Sequence, residues 1–175
     1  MQRRTLITAA VMLAAAIAGA ASWYAVKGLV KPDNEAIAAL MQLELPDADG
    51  KTVDFAQWKG KPLVVNFWAT WCAPCREEMP LLDSAAKNHP KLQFVGISVD
   101  DAAHVREFQS KTPVSYPLPI TTLAITELAG KLGNKAMGLP FTVFVRDNGE
   151  IAAIKLGALK EADLRDYLAQ IEPPR

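Results

Sequence analysis

Residues 63–80 read LVVNFWATWCAPCREEMP, an apolar run that hands over to a pair of cysteines and then to a helical pattern. The near-continuous apolar and β-branched stretch 63–68 predicts a central strand buried on both faces. Cys75, Met79, Leu82 and Ala86 recur at helical spacing, which predicts a helix over about 74–88, with Pro80 expected to kink it. The cysteines therefore fall where a buried strand gives way to the start of a helix. Unpaired backbone N–H groups and the positive end of the helix dipole favour an anion there. A thiolate is such an anion, and it is the attacking species in disulfide exchange. Cys75 follows Cys72 by about one turn and is placed to resolve a mixed disulfide, while Pro74 fits the first helical turn.

Working outward, further elements follow. Downstream, residues 92–99 predict a strand, 101–110 a helix and 122–132 a second helix with Ile125, Leu128 and Leu132 on one stripe. Strands at 141–146 and 150–156 flank the turn Asp147-Asn148-Gly149, and Leu164, Leu168 and Ile171 mark a terminal helix over about 160–171. Upstream, 43–45 and 52–55 flank Asp49-Gly50 and predict a hairpin. This order of strands and helices predicts an α/β sandwich with a mixed sheet of four or five strands.

The chain has 175 residues, 50% of them apolar and 22% charged, which suits one globular domain with a short appendage. Two cysteines three positions apart cannot staple distant segments, so a disulfide-framework fold is excluded. The net charge of zero conceals an asymmetry, because residues 1–31 hold Arg3, Arg4, Lys27 and Lys31 and no acid. No basic cluster follows Lys31, so nucleic acid is excluded as a partner.

From Thr5 to Val26 no residue is charged. A helix of that length reaches roughly 33 Å, enough to span the hydrocarbon of a bilayer. Arg3-Arg4 should stay cytoplasmic, which exports everything after Val26 to the periplasm or cell exterior. Trp23, Tyr24 and Lys27 favour an uncleaved inner-membrane anchor, and Ala18-Gly19-Ala20 offers the alternative of a cleaved signal peptide. The expected organisation is a membrane or signal segment over 1–30, a linker over 31–37 and the domain over 38–175, with a weak helical turn or two within 31–42 that puts Ile37, Leu40 and Met41 on one side.

Zinc would need about four ligands, and beyond the cysteines only His89 and His104 remain as N/S donors, at spacings that suit no zinc site. Redox chemistry at Cys72 and Cys75 requires neither cofactor nor metal. Two other classes stay open. A copper chaperone would use Cys72, Cys75 and Met79 as soft ligands. A peroxidase of the peroxiredoxin type would want threonine where Ala69 stands.

The segment Val65–Pro80, with its Trp68-Ala69-Thr70-Trp71-Cys72-Ala73-Pro74-Cys75 core and Glu78-Met79-Pro80 ending, resembles the active-site segment of the thioredoxin superfamily. More narrowly it is similar to the TlpA/ResA/CcmG branch of membrane-tethered extracytoplasmic thiol–disulfide oxidoreductases. Trp58-Lys59-Gly60-Lys61-Pro62 and the later Gly138-Leu139-Pro140 extend the likeness over about residues 38–171. The resemblance implies a thioredoxin-like three-layer sandwich with an N-terminal β-hairpin extension. It implies a cis proline at Pro140 facing the cysteines, a free Leu139 backbone to pair with substrate, and client contacts from Trp71 and Pro74, with Trp68 and Trp71 as an apolar platform. Asn66 replaces the buried aspartate of cytoplasmic thioredoxins, and the resemblance puts Glu78 forward as the proton-transfer group for Cys75, with Glu77 as a solvent-facing neighbour. It also implies a reductant supplied by a DsbD/CcdA-like membrane donor and acting on a client disulfide, such as apocytochrome c or the copper-site thiols of an oxidase.

Overall fold

The computed structural model describes residues 34–172. The uncharged run from Thr5 to Val26, with the anchor and export readings built on it, lies outside the described residues. Among the described residues no helix is long and apolar enough to cross a membrane.

The chain begins with helix α1 (Asn34–Leu40), followed by strands β1 (Glu44–Pro46) and β2 (Thr52–Asp54) and a 3-10 turn over Phe55–Trp58. Then come β3 (Leu63–Trp68), α2 (Ala73–Asn88), β4 (Gln93–Val99), α3 (Ala102–Lys111) and β5 (Ile120–Thr121). α4 (Ile125–Lys131), β6 (Phe141–Val145), β7 (Ile151–Leu156) and α5 (Glu161–Ile171) complete it. β1 and β2 form the expected hairpin as a separate two-stranded sheet. Its turn is held by Asp47, whose Oδ1 accepts from the N–H groups of Asp49 and Lys51, with Gly50 at φ 82°.

The main sheet has the order β5-β4-β3-β6-β7, with β3 parallel to β4 and antiparallel to β6. Side chains alternate across it, as strand geometry requires. Val64 and Trp68 pack into one core with Met79 and Leu82 of α2 and Leu164 and Leu168 of α5. Leu63, Val65 and Phe67 pack into the other with α1, the 3-10 turn and Ile125 of α4. Helices thus cover both faces, giving the expected three layers.

Three features differ from the sequence reading. Residues 34–37, at the end of the stretch expected as a linker, lie in α1, whose Ala36, Ile37 and Leu40 are buried in the core. The helix expected over 122–132 starts later, at Ile125, because Thr121 pairs with Val99 and Thr122 makes a turn through its hydroxyl. β5 was not foreseen. α2 runs through Pro80 as one element over Ala73–Asn88.

Candidate active site

Cys72 caps the N-terminus of α2, and its Sγ accepts from the Cys75 N–H at 3.3 Å. The two cysteines form a disulfide with an S–S distance of 2.00 Å and Cα atoms 5.3 Å apart. They are not equivalent toward solvent. Cys72 lines an apolar pocket together with Trp71, Pro74 and Leu139, whereas Cys75 is fully buried. Once the pair is reduced, an N–H aimed at Sγ and the end of a helix dipole both favour the thiolate on Cys72, the sulfur that a partner can reach.

The loop that delivers Cys72 to the helix is tied down from β4. Asp100, just after that strand, accepts from the Thr70 N–H at 3.0 Å and from the Thr70 hydroxyl, and Arg76 donates to the Thr70 carbonyl at 2.5 Å. Burial pushes the Asp100 carboxyl up, but the bonds from Thr70, the Asp101 N–H and His104 outweigh it and hold the group below the usual range.

Glu78 and Glu77 separate as helical phase requires: Glu77 is exposed and Glu78 is buried. β3 places Asn66 on the same face as Val64 and Trp68, opposite Thr142 in the β3–β6 register. The Asn66 Nδ2 donates to Glu78 Oε1 at 2.8 Å and to the Thr142 hydroxyl at 3.0 Å, while the Leu159 N–H donates to Glu78 Oε2 at 2.7 Å. The Asn66 Oδ1 is buried with no partner. Desolvation raises the Glu78 pKa, against the opposing pull of the Leu159 and Asn66 bonds and the nearby Lys155 charge. A carboxyl one turn from Cys75 whose pKa is raised above the ordinary carboxylate value is suited to exchange a proton with it.

The peptide bond between Leu139 and Pro140 is cis, as the resemblance implied. Trp71 is 67% exposed on the pocket. Trp68 is fully buried in one core cluster with both cysteines, and its indole N–H donates to the Gly96 carbonyl. Met79, the third soft ligand of the copper reading, is also fully buried. Among the described residues, Asp100, Asp101 and His104 could bring ligand atoms within 4.8 Å of one another, but the Asp100 carboxylate is committed to Thr70. Thr142 and the Leu159 N–H were missed by the sequence reading, since neither carries a local signal.

The Redoxin family matches residues 30–171. The thiol-disulfide oxidoreductase ResA of Oceanobacillus iheyensis is 32% identical over 130 residues, spanning 73% of this chain and 66% of that protein's length. The structure of a secreted Mycobacterium tuberculosis disulfide oxidoreductase homologous to E. coli DsbE superposes with a TM-score of 0.65 at 25% identity, covering 78% of this chain and 98% of that one. A thioredoxin-related protein from Neisseria meningitidis serogroup B gives a TM-score of 0.64 at 33% identity, over 72% and 96% of the two chains. A disulfide at the head of a helix on a thioredoxin-like sheet and these likenesses agree, and the chain belongs to the Redoxin family as a thiol–disulfide oxidoreductase of the TlpA/ResA/CcmG kind.

Proposed function

We propose that this oxidoreductase is an extracytoplasmic disulfide reductase in which Cys72 attacks and Cys75 resolves. The Cys72 thiolate attacks one sulfur of a client disulfide, a new S–S bond forms, and the client's other sulfur leaves as a thiolate. The Cys75 thiolate then attacks Cys72 Sγ, restoring the Cys72–Cys75 bond and releasing the client's second sulfur. Two electrons pass from the pair to the client. Glu78 takes the Cys75 proton, and the departing client thiolates are protonated in turn. Trp71 and Pro74 contact the client. Leu139 offers its backbone, because no hydrogen bond among the described residues engages its N–H or C=O, and Pro140 next to it has no N–H to offer a competing contact.

The observation that carries this reading is the inequality of the two sulfurs, one on an apolar pocket and one fully buried beside a buried carboxyl. The direction is supported by Ala73-Pro74, which place no cation between the cysteines to stabilise the reduced form as a strong oxidant requires. Export is supported by Arg3-Arg4 ahead of the uncharged run. The chain has no third cysteine, so recharging the pair requires thiols from another protein or a small molecule, for which a DsbD/CcdA-like membrane donor is the fitting class. Apocytochrome c and an oxidase copper-site thiol pair are the proposed clients.

Equilibration of the Cys72–Cys75 pair with glutathione or dithiothreitol tests the direction. A potential well below that of DsbA-type oxidants is expected, and one near about −120 mV would reverse the reading. A Cys75→Ser protein should trap the client as a mixed disulfide through Cys72, and a trapped protein of neither proposed class would redirect the client assignment.

A further inference from the structure

The pocket beside Cys72 has a volume of about 470 Å³, and its wall joins Phe67, Val99, Ile125, Ala129, Met137 and Leu139 from separate parts of the chain. No charged side chain lines it. Leu123, Trp71 and Met137, which are 71%, 67% and 61% exposed, are the most exposed large apolar side chains among the described residues, and all three stand on this pocket. A cluster of that kind continuous with a reactive sulfur marks a surface that meets a partner.

Asn134 also lines the pocket and is only 3% exposed, so an amide is buried in a wall whose one other polar side chain among the described residues is Thr126, its hydroxyl bonded to the Leu123 carbonyl. Both polar atoms of its amide are bonded to one residue. Nδ2 donates to the Gly138 carbonyl at 2.9 Å, and Oδ1 accepts from the Gly138 N–H at 3.1 Å. The Met137 N–H donates to the Asn134 carbonyl at 3.2 Å, closing the loop. Inside that loop Met137 sits at φ 54°, in the left-handed region that a bulky residue avoids unless its surroundings impose it. The clamp thus holds an exposed methionine in an unfavourable backbone state next to Leu139.

We propose that Asn134 is a positioning residue that locks the 133–138 loop so that Met137 and Leu139 wall an apolar subsite beside Cys72, and that this subsite takes an apolar side chain flanking the client's reactive cysteine. The occupant is an extended client segment: Cys72 is part of the same wall, and the unengaged Leu139 backbone lies alongside to register a chain. An acidic flank would have to be desolvated there with no cation among the described residues to pair with it. The inference rests on the reading that Cys72 exchanges disulfides with a client chain.

The test measures mixed-disulfide formation by reduced Cys75→Ser protein with two otherwise identical peptide disulfides, carrying Leu or Asp next to the cysteine, and with 2-hydroxyethyl disulfide. The Leu peptide should react about tenfold faster than the Asp peptide, the discrimination one apolar side chain in a pocket supplies. Asn134→Ala should lower the ratio of its Leu-peptide rate to its 2-hydroxyethyl disulfide rate by a similar factor. Met137→Gly provides a variant that folds, since glycine accepts the left-handed state; its thermal midpoint should not fall, yet the Leu preference should shrink. Equal rates with the two peptides, or an Asn134→Ala protein whose ratio is unchanged, overturns the proposal. A potential showing the protein to be an oxidant would reverse the direction of electron flow without altering these rates, so the two failures are told apart.

Discussion

A carboxyl group taken out of water is held neutral unless bonds to its charged form replace the lost hydration. At Glu78 the replacement is partial. The Leu159 and Asn66 N–H groups and the Lys155 charge favour the anion, and burial still outweighs them. A protonated Glu78 gains an O–H that needs an acceptor, and the unpartnered Asn66 Oδ1 belongs to the very amide it already touches. With Glu78→Gln, attack of Cys75 on a Cys72 mixed disulfide should slow by about 100-fold at neutral pH, the usual worth of a positioned general base. Its rate should also lose the pH dependence that Glu78 imposes; a stopped-flow profile parallel to that of the parent protein would remove Glu78 from the proton path. The two cysteines were legible from their spacing at the head of a helix, and Glu78, three positions after Cys75, from the family resemblance. Thr142 and Leu159 were not, because they reach the site from 76 and 81 residues away through sheet register and loop path.

Among the elements, β4 shows how a single small residue admits a neighbour. A Cβ built on Gly96 would lie 2.7 Å from Leu118 Cδ2 and 3.2 Å from both Trp68 Nε1 and the Tyr116 ring. Gly96→Ala should destabilise the protein by about 1–3 kcal/mol through overpacking. At about 2–4 °C per kcal/mol for a chain of this size, calorimetry would resolve the loss. An unchanged midpoint would mean that the Leu118 side chain moves aside freely. The segment packed on Gly96 is also the one that sequence reading missed. Pro117 and Pro119 have no N–H to donate and argue against a strand, yet their carbonyls accept from the Gly96 and Ser98 N–H groups at 3.0 and 2.8 Å. An edge strand needs bonds on one side only, so prolines are tolerated in it and its two-residue ladder leaves no alternation to detect. β3, β4, β6 and the three longer helices were legible for the opposite reason, since each carries enough turns or alternations for its buried face to show. α1 was legible only as a weak helical turn or two with Ile37 and Leu40 on one side, because seven residues are too few to mark it off from a linker.

Across the whole molecule, the buried carboxyls divide into two kinds, and the division sets how stability follows pH. Asp83 is buried beside Tyr116 and the α2 face; burial pushes it up, but bonds from Lys87 and from the Ser115 hydroxyl and N–H outweigh that and hold it below its ordinary 3.8. Asp100 is held low in the same way through Thr70. A lowered folded-state pKa means that the unfolded chain binds more protons in that range, so stability is present above 3.8 and is lost as pH falls through the folded value. Glu78 has the opposite sign. Its raised pKa means that the folded chain binds more protons, so its contribution is complete below the ordinary 4.5 and is lost as pH rises through the folded value. From these three groups the oxidised protein should be most stable between 3.8 and 4.5, with an acid limb from the aspartates and a decline above 4.5 from the glutamate. Urea midpoints measured across pH would show both limbs. Glu78→Gln should flatten the upper decline and keep the acid limb, whereas Asp83→Asn should weaken the acid limb and keep the decline. Curves for Glu78→Gln and the parent that stay parallel above 4.5 would show that the buried carboxyl is ionised at no cost, and the same site could not then hold a proton for Cys75.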